Sequence, residues 1–584
     1  MNREESIVSD ISCWATMAVF VAGLLTLAVY LKEVQIDAAP DYNYEKARQS
    51  VRRVQTAGMR GRILDRRGRV LADNRRCVSI VCNAAAYQKK TWSATSAAVL
   101  EAIGEIGETI GRQTHLSERT IKRHVNQSLA IPLVVWRDVT AEELARFSEH
   151  ERLYPGFSVY ESEERYYPAG SLASHLIGYV GRDRGIGDAG DERFNFREFE
   201  LYGRSGLELY YNGFLRGVPG EKKLLVDARG FTEKEWVVSE SRRGPDLILA
   251  LDADIQRVAE EQLKGVRGAC VVMDPRDGSI LAFASSPGYD LNDFVPSLSQ
   301  EVYDKYLNDP AKPLLNRASG GAYAPGSTFK PITAIAGLSM GYPANEQYDC
   351  TGVFELGNLK LHCARRWGHG PISVRTALKV SCNTFFCNLG CDIGTNALFA
   401  TARAFGLGSK TGIDFTDDRA GVLPDDDWKR KTYGERWYSG DLAQMSIGQG
   451  MLLVSPLQMA VVAGAIGTGY LVTPHIKAGE SAERRPLPYD ASCLDIVREG
   501  MRMVVAGGSG ELGGEGVDTT VCGKTGTAEF GTASKRRKNT WFIAYAPAEK
   551  PRVAVSLIVE DGDSGGTTAA PRVAQVLKRI FNAQ

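Results

Sequence analysis

The chain lacks a surplus of either charge: 70 Lys and Arg balance 70 Asp and Glu over 584 residues. That balance removes the case for nucleic acid as a partner. It also lacks internal repeats and low-complexity tracts, which sets aside solenoids and disordered linkers. Long apolar runs are confined to one place. Ile11–Leu31 (ISCWATMAVFVAGLLTLAVYL) holds no charged residue and is long enough to cross a bilayer. A cleaved signal peptide is the competing reading, with Ala38-Ala39-Pro40 as the small-residue site. The apolar run is too long for an ordinary signal core, and Arg3 stands against Glu4, Glu5 and Asp10, so an uncleaved anchor is expected. Flanking charge says little about orientation. The large downstream part translocates largely regardless of charge, leaving residues 1–10 as a cytoplasmic tail.

Beyond the anchor, the length allows two to four domains. The Arg-rich stretch Arg48–Arg76 reads as a solvated surface, with phospholipid or polymer contact as the other reading. Within it, MRGRILDRRGRVLA (Met59–Ala72) places a turn at Asp65–Gly68 between two short β-like runs. Residues from about 84 to 150 read as mostly helical. Tyr160–Val226 is rich in loops and strands. A boundary is expected near Arg242-Arg243-Gly244-Pro245, followed by a strand at Asp246–Leu251 and an amphipathic helix at Asp252–Leu263. A hairpin, Ala269–Asp274 with Ser279–Ser285, turns at Asp277-Gly278. After a largely helical stretch come three strands, Thr519–Glu529, Thr540–Tyr545 and Val553–Glu560, and a closing helix, Ala569–Phe581. Two early strands, helices between and three late strands imply an α+β fold: one antiparallel five-stranded sheet flanked by helices.

Three short motifs carry the chemistry. Ser327-Thr328-Phe329-Lys330 follows the turn signal Pro325-Gly326 and is expected at a helix start, with Ser327 and Lys330 on one face. A serine hydroxyl needs an adjacent base, and a lysine whose pKa is depressed by burial can serve. The second motif is Ser381-Cys382-Asn383. In an extended segment its first and third side chains point the same way, one to relay a proton and one to bind an amide. The third is Lys524-Thr525-Gly526-Thr527 in a strand-like run. A strand glycine signals close approach of another backbone, here read as an extended peptide along an edge strand, with Lys524 and the threonines holding a carboxylate. Each motif alone is weak. An S-x-x-K at a helix start is also an ordinary cap, and a lysine on an edge strand also guards against aggregation. In this order and spacing they form the set known from β-lactamases and penicillin-binding proteins.

On these motifs the chain resembles class B penicillin-binding proteins, most closely the elongation-type branch, penicillin-binding protein two. RGRILDRRGRVLA, Gly203–Gly220 (GRSGLELYYNGFLRGVPG), Ser446–Gln458 (SIGQGMLLVSPLQ), Trp541–Pro547 (WFIAYAP) and Gly368-His369-Gly370 carry the likeness. No glycosyltransferase domain precedes the Gly203–Gly220 segment, which sets aside the bifunctional class A type. The resemblance implies an elongated pedestal over 48–243 with a helical insertion at about 84–150. It implies a transpeptidase domain over 244–584 on the extracytoplasmic side of the cytoplasmic membrane. It implies a peptidoglycan D,D-transpeptidase that cross-links stem peptides through an acyl-serine and is acylated by β-lactams. Ser327 would be the nucleophile and Lys330 its base, with Ser381 and Lys524 in the proton relay. Asn383 would bind the donor amide, Thr525 and Thr527 the terminal carboxylate, and the backbone N–H groups of Ser327 and Thr527 the oxyanion. A polytopic glycosyltransferase of the elongation complex is the implied partner, against the anchor and Arg48–Ala228.

Eleven cysteines are many for an extracytoplasmic chain. Cys13 lies in the anchor, and Cys270, Cys387, Cys391 and Cys522 sit in apolar surroundings as free thiols. Cys350, Cys363, His369 and Cys382 lie between the two serine motifs. Three thiolates and an imidazole suit tetrahedral zinc, although the spacings match no zinc knuckle. The resemblance adds that elongation-type relatives tend to carry Cys, Asp or His at such positions. His362 is an alternative to His369, and a Cys350–Cys363 disulfide is the rival reading. The metal would brace the loop presenting Ser381 and Asn383; catalysis itself calls for no cofactor. Two other classes stay open. One is a hydrolase on the same fold, a D,D-carboxypeptidase or β-lactamase, for which no dedicated deacylation carboxylate stands out. The other is a non-catalytic scaffold or β-lactam sensor, against which all three motifs are intact.

Overall fold

A computed structural model describes residues 4–37, 51–127, 132–182, 196–197, 200–226, 232–295, 298–512, 516–532 and 535–582. Ala38-Ala39-Pro40 and Arg48 lie outside these residues. A single helix among the described residues is long and apolar enough to cross a membrane. It spans Glu4–Lys32 and starts several residues before the apolar run; the membrane-compatible stretch, Cys13–Ile36, runs from inside it into the π-helical turn Glu33–Asp37 that follows.

Among the described residues, the N-terminal half after it holds two larger sheets and one two-stranded pair, Val180–Arg182 with Leu201–Gly203. A four-stranded sheet runs in the order Thr232–Ser239, Gly220–Val226, Val51–Thr56, Phe196–Arg197. A five-stranded sheet centres on the long strand Val70–Cys82, which pairs with Ile63–Leu64, Leu133–Trp136 and Phe157–Tyr166. The turn expected at Asp65–Gly68 is present, and Asp65 accepts the N–H groups of Arg67 and Arg69. The expected strand at Asp246–Leu251 shrinks to Leu247–Ile248, parallel to Ile63–Leu64. Helices Trp92–Ile110, Glu118–Gln127 and Ala141–His150 close over a separate core of Ile80, Val99, Ile106, Trp136 and Phe147. At the centre of this half Glu208, fully buried, accepts from Arg60 at 2.5 Å and from Arg165 at 2.7 Å. Burial raises the carboxyl, but the two guanidinium charges outweigh it and hold it below its ordinary range.

The C-terminal half contains the antiparallel five-stranded sheet expected from the sequence. Its order is Ile280–Ser286, Gly268–Met273, Val553–Glu560, Lys535–Ala546, Cys522–Thr532. Period-two alternation divides two cores. Val271 and Met273 face one side with Phe329, Ile332 and the buried helix Pro456–Thr468. Cys270 and Val272 face the other with Ala259, Val573 and Leu577 from helices Ala253–Gln262 and Ala570–Phe581. Asp252 caps the first of these helices. The three late strands end within three residues of their expected C-termini, although Lys535–Ala546 begins earlier. Cys522–Thr532 lies at the edge of the sheet beside the motif residues.

Candidate active site

Ser327 sits one turn earlier than a regular helix start. Gly326–Phe329 is a 3-10 turn running into the helix Lys330–Ser339, with Pro331 in its first turn. The turn is held from several sides. Gly326 N–H donates to Gly448 O at 2.8 Å, Trp541 Nε1 donates to Ala324 O at 3.0 Å, and Tyr323 OH donates to Glu560 at 2.9 Å. Gly326 has φ +55°, a conformation that favours glycine.

Lys330, one turn on, is fully buried. Its Nζ donates to Ser381 O at 2.6 Å, to Asn383 Oδ1 at 2.7 Å and to Ser381 Oγ at 3.3 Å. Lys524 enters from the edge strand, also fully buried, and donates to the same Ser381 Oγ at 2.9 Å. Burial pulls Lys330 down to about 8. Lys524 is driven well below the ordinary lysine range, first by burial and then by the Lys330 charge. Two ammonium groups sharing one hydroxyl in a dry site repel each other, so the arrangement favours a proton shared between the lysines. The chain Lys330–Ser381–Lys524 is thus a continuous path for a proton that begins three residues after Ser327.

The S-x-N segment is not extended. Ser381 has φ +57°, Cys382 is a helix N-cap whose Sγ accepts the Phe385 N–H, and Asn383 opens the long helix Asn383–Ala404. The left-handed turn, rather than strand alternation, aims Ser381 at both lysines. Asn383 is held at both ends of its amide, with Nδ2 donating to His362 O at 2.7 Å.

Gly526 does need a closely approaching backbone, but that backbone belongs to the chain itself. A Cβ there would stand 2.8 Å from Pro325 O and 2.9 Å from Thr328 Cγ2. The glycine therefore seats the Ser327 turn against the edge strand. Thr525 shares a 2.9 Å hydrogen bond with Ser509. Thr527 Oγ1 accepts from Gly565 N–H at 3.2 Å, and its carbonyl accepts from Gln449 Nε2 at 3.3 Å. Ser509 and Gly565 carried no sequence signal; Gln449 lies in SIGQG but was not singled out. A cavity of about 430 Å³ lined by Arg67, Asp252, Asp254, Arg276 and Arg552 shares no residue with this cluster.

The candidate metal ligands converge. One donor atom each from Cys350, Cys363, His369 and Cys382 lies within 4.8 Å of the others. The sulfurs are 3.4–3.7 Å apart, and Cys350 Sγ is 3.4 Å from His369 Nδ1. Tetrahedral zinc with Zn–S of about 2.3 Å sets sulfurs about 3.8 Å apart, so the donor set fits. Cys350 and Cys363 are free thiols here, not the disulfide. His369 joins the cluster; the His362 side chain is exposed and does not. The Cys363 thiol is pulled down, first by the hydrogen bond from Cys382 and further by those from Thr384. Cys382 is pushed up by the same pairing. Cys270, Cys387 and Cys522 are buried, while Cys391 is half-buried.

Residues 268–578 match the family described as the penicillin-binding protein transpeptidase domain, and residues 55–249 the penicillin-binding protein dimerisation domain. The chain is 31% identical to the peptidoglycan D,D-transpeptidase MrdA of Acinetobacter baumannii, over 96% of this chain and 85% of that one. It superposes on a penicillin-binding protein, PBP2, in a complex with MreC from Helicobacter pylori. That match has a TM-score of 0.77 and 28% identity, over 91% of this chain and 99% of the other. A chain from a structure titled as structural coordination of polymerization and crosslinking by a peptidoglycan synthase complex matches with a TM-score of 0.72 and 27% identity, over 98% and 99%. The chain belongs to the penicillin-binding proteins. Within that class, relatives that match most of its length are named MrdA or PBP2.

Proposed function

We infer that the chain is a serine-type peptidoglycan D,D-transpeptidase of cell-wall elongation and is acylated by β-lactams. The observation that carries the reading is the buried path Lys330–Ser381–Lys524, whose first member follows Ser327 by three residues where the 3-10 turn runs into the helix. In the mechanism, Ser327 Oγ attacks the penultimate D-Ala carbonyl of a stem peptide. Neutral Lys330 takes the hydroxyl proton as the C–O bond forms. The C–N bond then breaks, and the leaving D-Ala amine receives a proton through Ser381, with Lys524 restoring the relay. An amine of a second stem peptide attacks the acyl-serine carbonyl; as the new C–N bond forms the ester C–O bond breaks, and the amine's proton passes along the same path back to Ser327 Oγ. The Ser327 and Thr527 N–H groups are assigned to the oxyanion; losing one such donor costs about 10²–10³ in rate. Asn383 is assigned to the donor amide, supported by its bond to Lys330, and Thr525 and Thr527 to the terminal carboxylate, supported by the seating of their strand against the Ser327 turn at Gly526.

The proposed division is a tail at 1–10, an anchor at 11–31, a pedestal over 48–243 and a transpeptidase domain over 244–584, the last outside the cytoplasmic membrane. The apolar Glu4–Lys32 helix supports a single-pass anchor. Contact with a polytopic glycosyltransferase is placed on this helix and on Arg48–Ala228, consistent with a structural relative drawn from a peptidoglycan synthase complex. Zinc, when bound by Cys350, Cys363, His369 and Cys382, would supply a structural cross-link. Through Cys382 it would hold Ser381 and Asn383 in place.

Fluorescent penicillin added to the full chain tests the reading. Stable labelling of wild type, lost in Ser327→Ala, is expected. A label that turns over rapidly would move the assignment to a hydrolase, and no label on folded protein would overturn it.

A further inference from the structure

Between Cys363 and His369 runs the loop Ala364-Arg365-Arg366-Trp367-Gly368, which the mechanism leaves unused. Trp367 is 78% exposed, the most exposed tryptophan among the described residues. Its ring contact is the Arg365 guanidinium, 5.4 Å from the ring centroid. Arg365 and Arg366 are both exposed, and neither has an ion-pair partner among the described residues.

The backbone beneath these side chains is closely packed at two points. Gly368 N–H donates to Arg365 O at 3.1 Å. Gly352 (φ +94°) lies under Arg366, where a Cβ would be 2.2 Å from its carbonyl oxygen. Gly368 (φ +84°) lies against Cys350, where a Cβ would be 2.0 Å from its carbonyl oxygen. Both ends of the loop abut the segment that carries Ser381 and Asn383. Cys363 Sγ accepts the Asn383 and Thr384 N–H groups at 3.2 and 3.4 Å. Asn383 Nδ2 donates to His362 O. His369 meets Cys350 within the thiol cluster.

A tryptophan standing in water beside two uncompensated guanidiniums contributes nothing to the core. It matches a ligand with an apolar or ring face and carboxylates, because arginine forks bind carboxylates in pairs and aromatic faces carry the rest of the contact. The loop adjoins the residue assigned to the donor amide, so the molecule that passes it is the acyl-transfer substrate. We propose that Ala364–Gly368 is a substrate subsite at the rim of the active site. In it Arg365 and Arg366 bind the free carboxylates of an acidic stem peptide laid across Trp367. This rests on the transpeptidase reading and adds to it a selectivity for charged over amidated stem peptides. It also requires that selectivity to weaken with salt, since the cations are exposed.

The test uses the full chain and two synthetic stem peptides ending in D-Ala-D-Ala, one with its remaining carboxylates free and one with them amidated. The readout is the ratio of kcat/KM for the two, from D-Ala release. Wild type is expected to favour the acidic peptide. Arg365→Ala/Arg366→Ala is expected to cut the ratio at least about tenfold, chiefly through KM, and Arg365→Glu/Arg366→Glu to invert it. Arg365→Lys/Arg366→Lys is expected to restore part of it. Trp367→Ala is expected to lower kcat/KM for both peptides. A ratio that stays at the wild-type value in the arginine variants overturns the proposal, whether both rates hold or both fall together; that result would fit a structural loop or a protein-docking loop. Penicillin labelling of Ser327 in the wild type is measured alongside. Its absence would refute the transpeptidase reading itself, separately from the loop.

Discussion

The general base can be tested by pH alone. Burial pulls Lys330 down to about 8, and only its neutral form accepts the Ser327 proton. With that pKa, the neutral fraction is about 9% at pH 7 and about 91% at pH 9, so acylation should rise roughly tenfold and then level off. An unshifted lysine near 10.4 would give a rise of nearly a hundredfold over the same window, still climbing at pH 9. The sign follows from the role: a base works deprotonated, so activity is lost as pH falls through the pKa. The assay is the second-order rate constant of penicillin acylation from pH 6 to 9.5. Lys330→Arg, which stays protonated, should lose about 10² or more at every pH. A wild-type profile flat from pH 6 to 9, or one of unit slope without a plateau below 9.5, would refute Lys330 as the base.

Other perturbations reach different parts of the fold. Glu208→Gln leaves Arg60 and Arg165 buried without a counter-charge and should destabilise the pedestal by ~3–5 kcal/mol; a shift in its urea midpoint equivalent to under about 1 kcal/mol would contradict the burial argument. Gly526→Ala drives a Cβ against Pro325 O and Thr328, so the Ser327 turn must move. Displacements near 1 Å cost about 10² in rate, and acylation at the wild-type rate would show that the turn is not seated on Gly526. Purified without chelator, the protein should carry one zinc by elemental analysis, lost in Cys363→Ser. A thiol titration showing Cys350, Cys363 and Cys382 freely reactive in metal-free wild type as isolated would argue against the metal.

The parts legible in the sequence were those written in local pattern. Alternating apolar runs such as Val553–Glu560 and the Asp277-Gly278 turn marked the sheet, and the three motifs marked Ser327, Lys330, Ser381 and Lys524. What escaped depends on long-range contact. Nothing local says that Ser381 takes φ +57°, because the left-handed turn is set by the helix that Cys382 caps. Gly526 was read against a ligand because its true neighbour, Pro325, lies two hundred residues upstream. Ser509 reaches Thr525 only through folding, and the Arg60–Glu208–Arg165 centre joins residues 148 and 43 apart in the chain. The thiol cluster was visible as a grouping of residue types; its convergence and the choice of His369 over His362 required the fold.

The central claim is that Ser327 becomes covalently acylated. Mass spectrometry of the full chain after incubation with a penicillin, followed by peptide mapping, tests it most directly. The account predicts one added penicilloyl group, located on the peptide containing Ser327 and persisting after free drug is removed. An adduct on another residue, or none on folded protein, would contradict it.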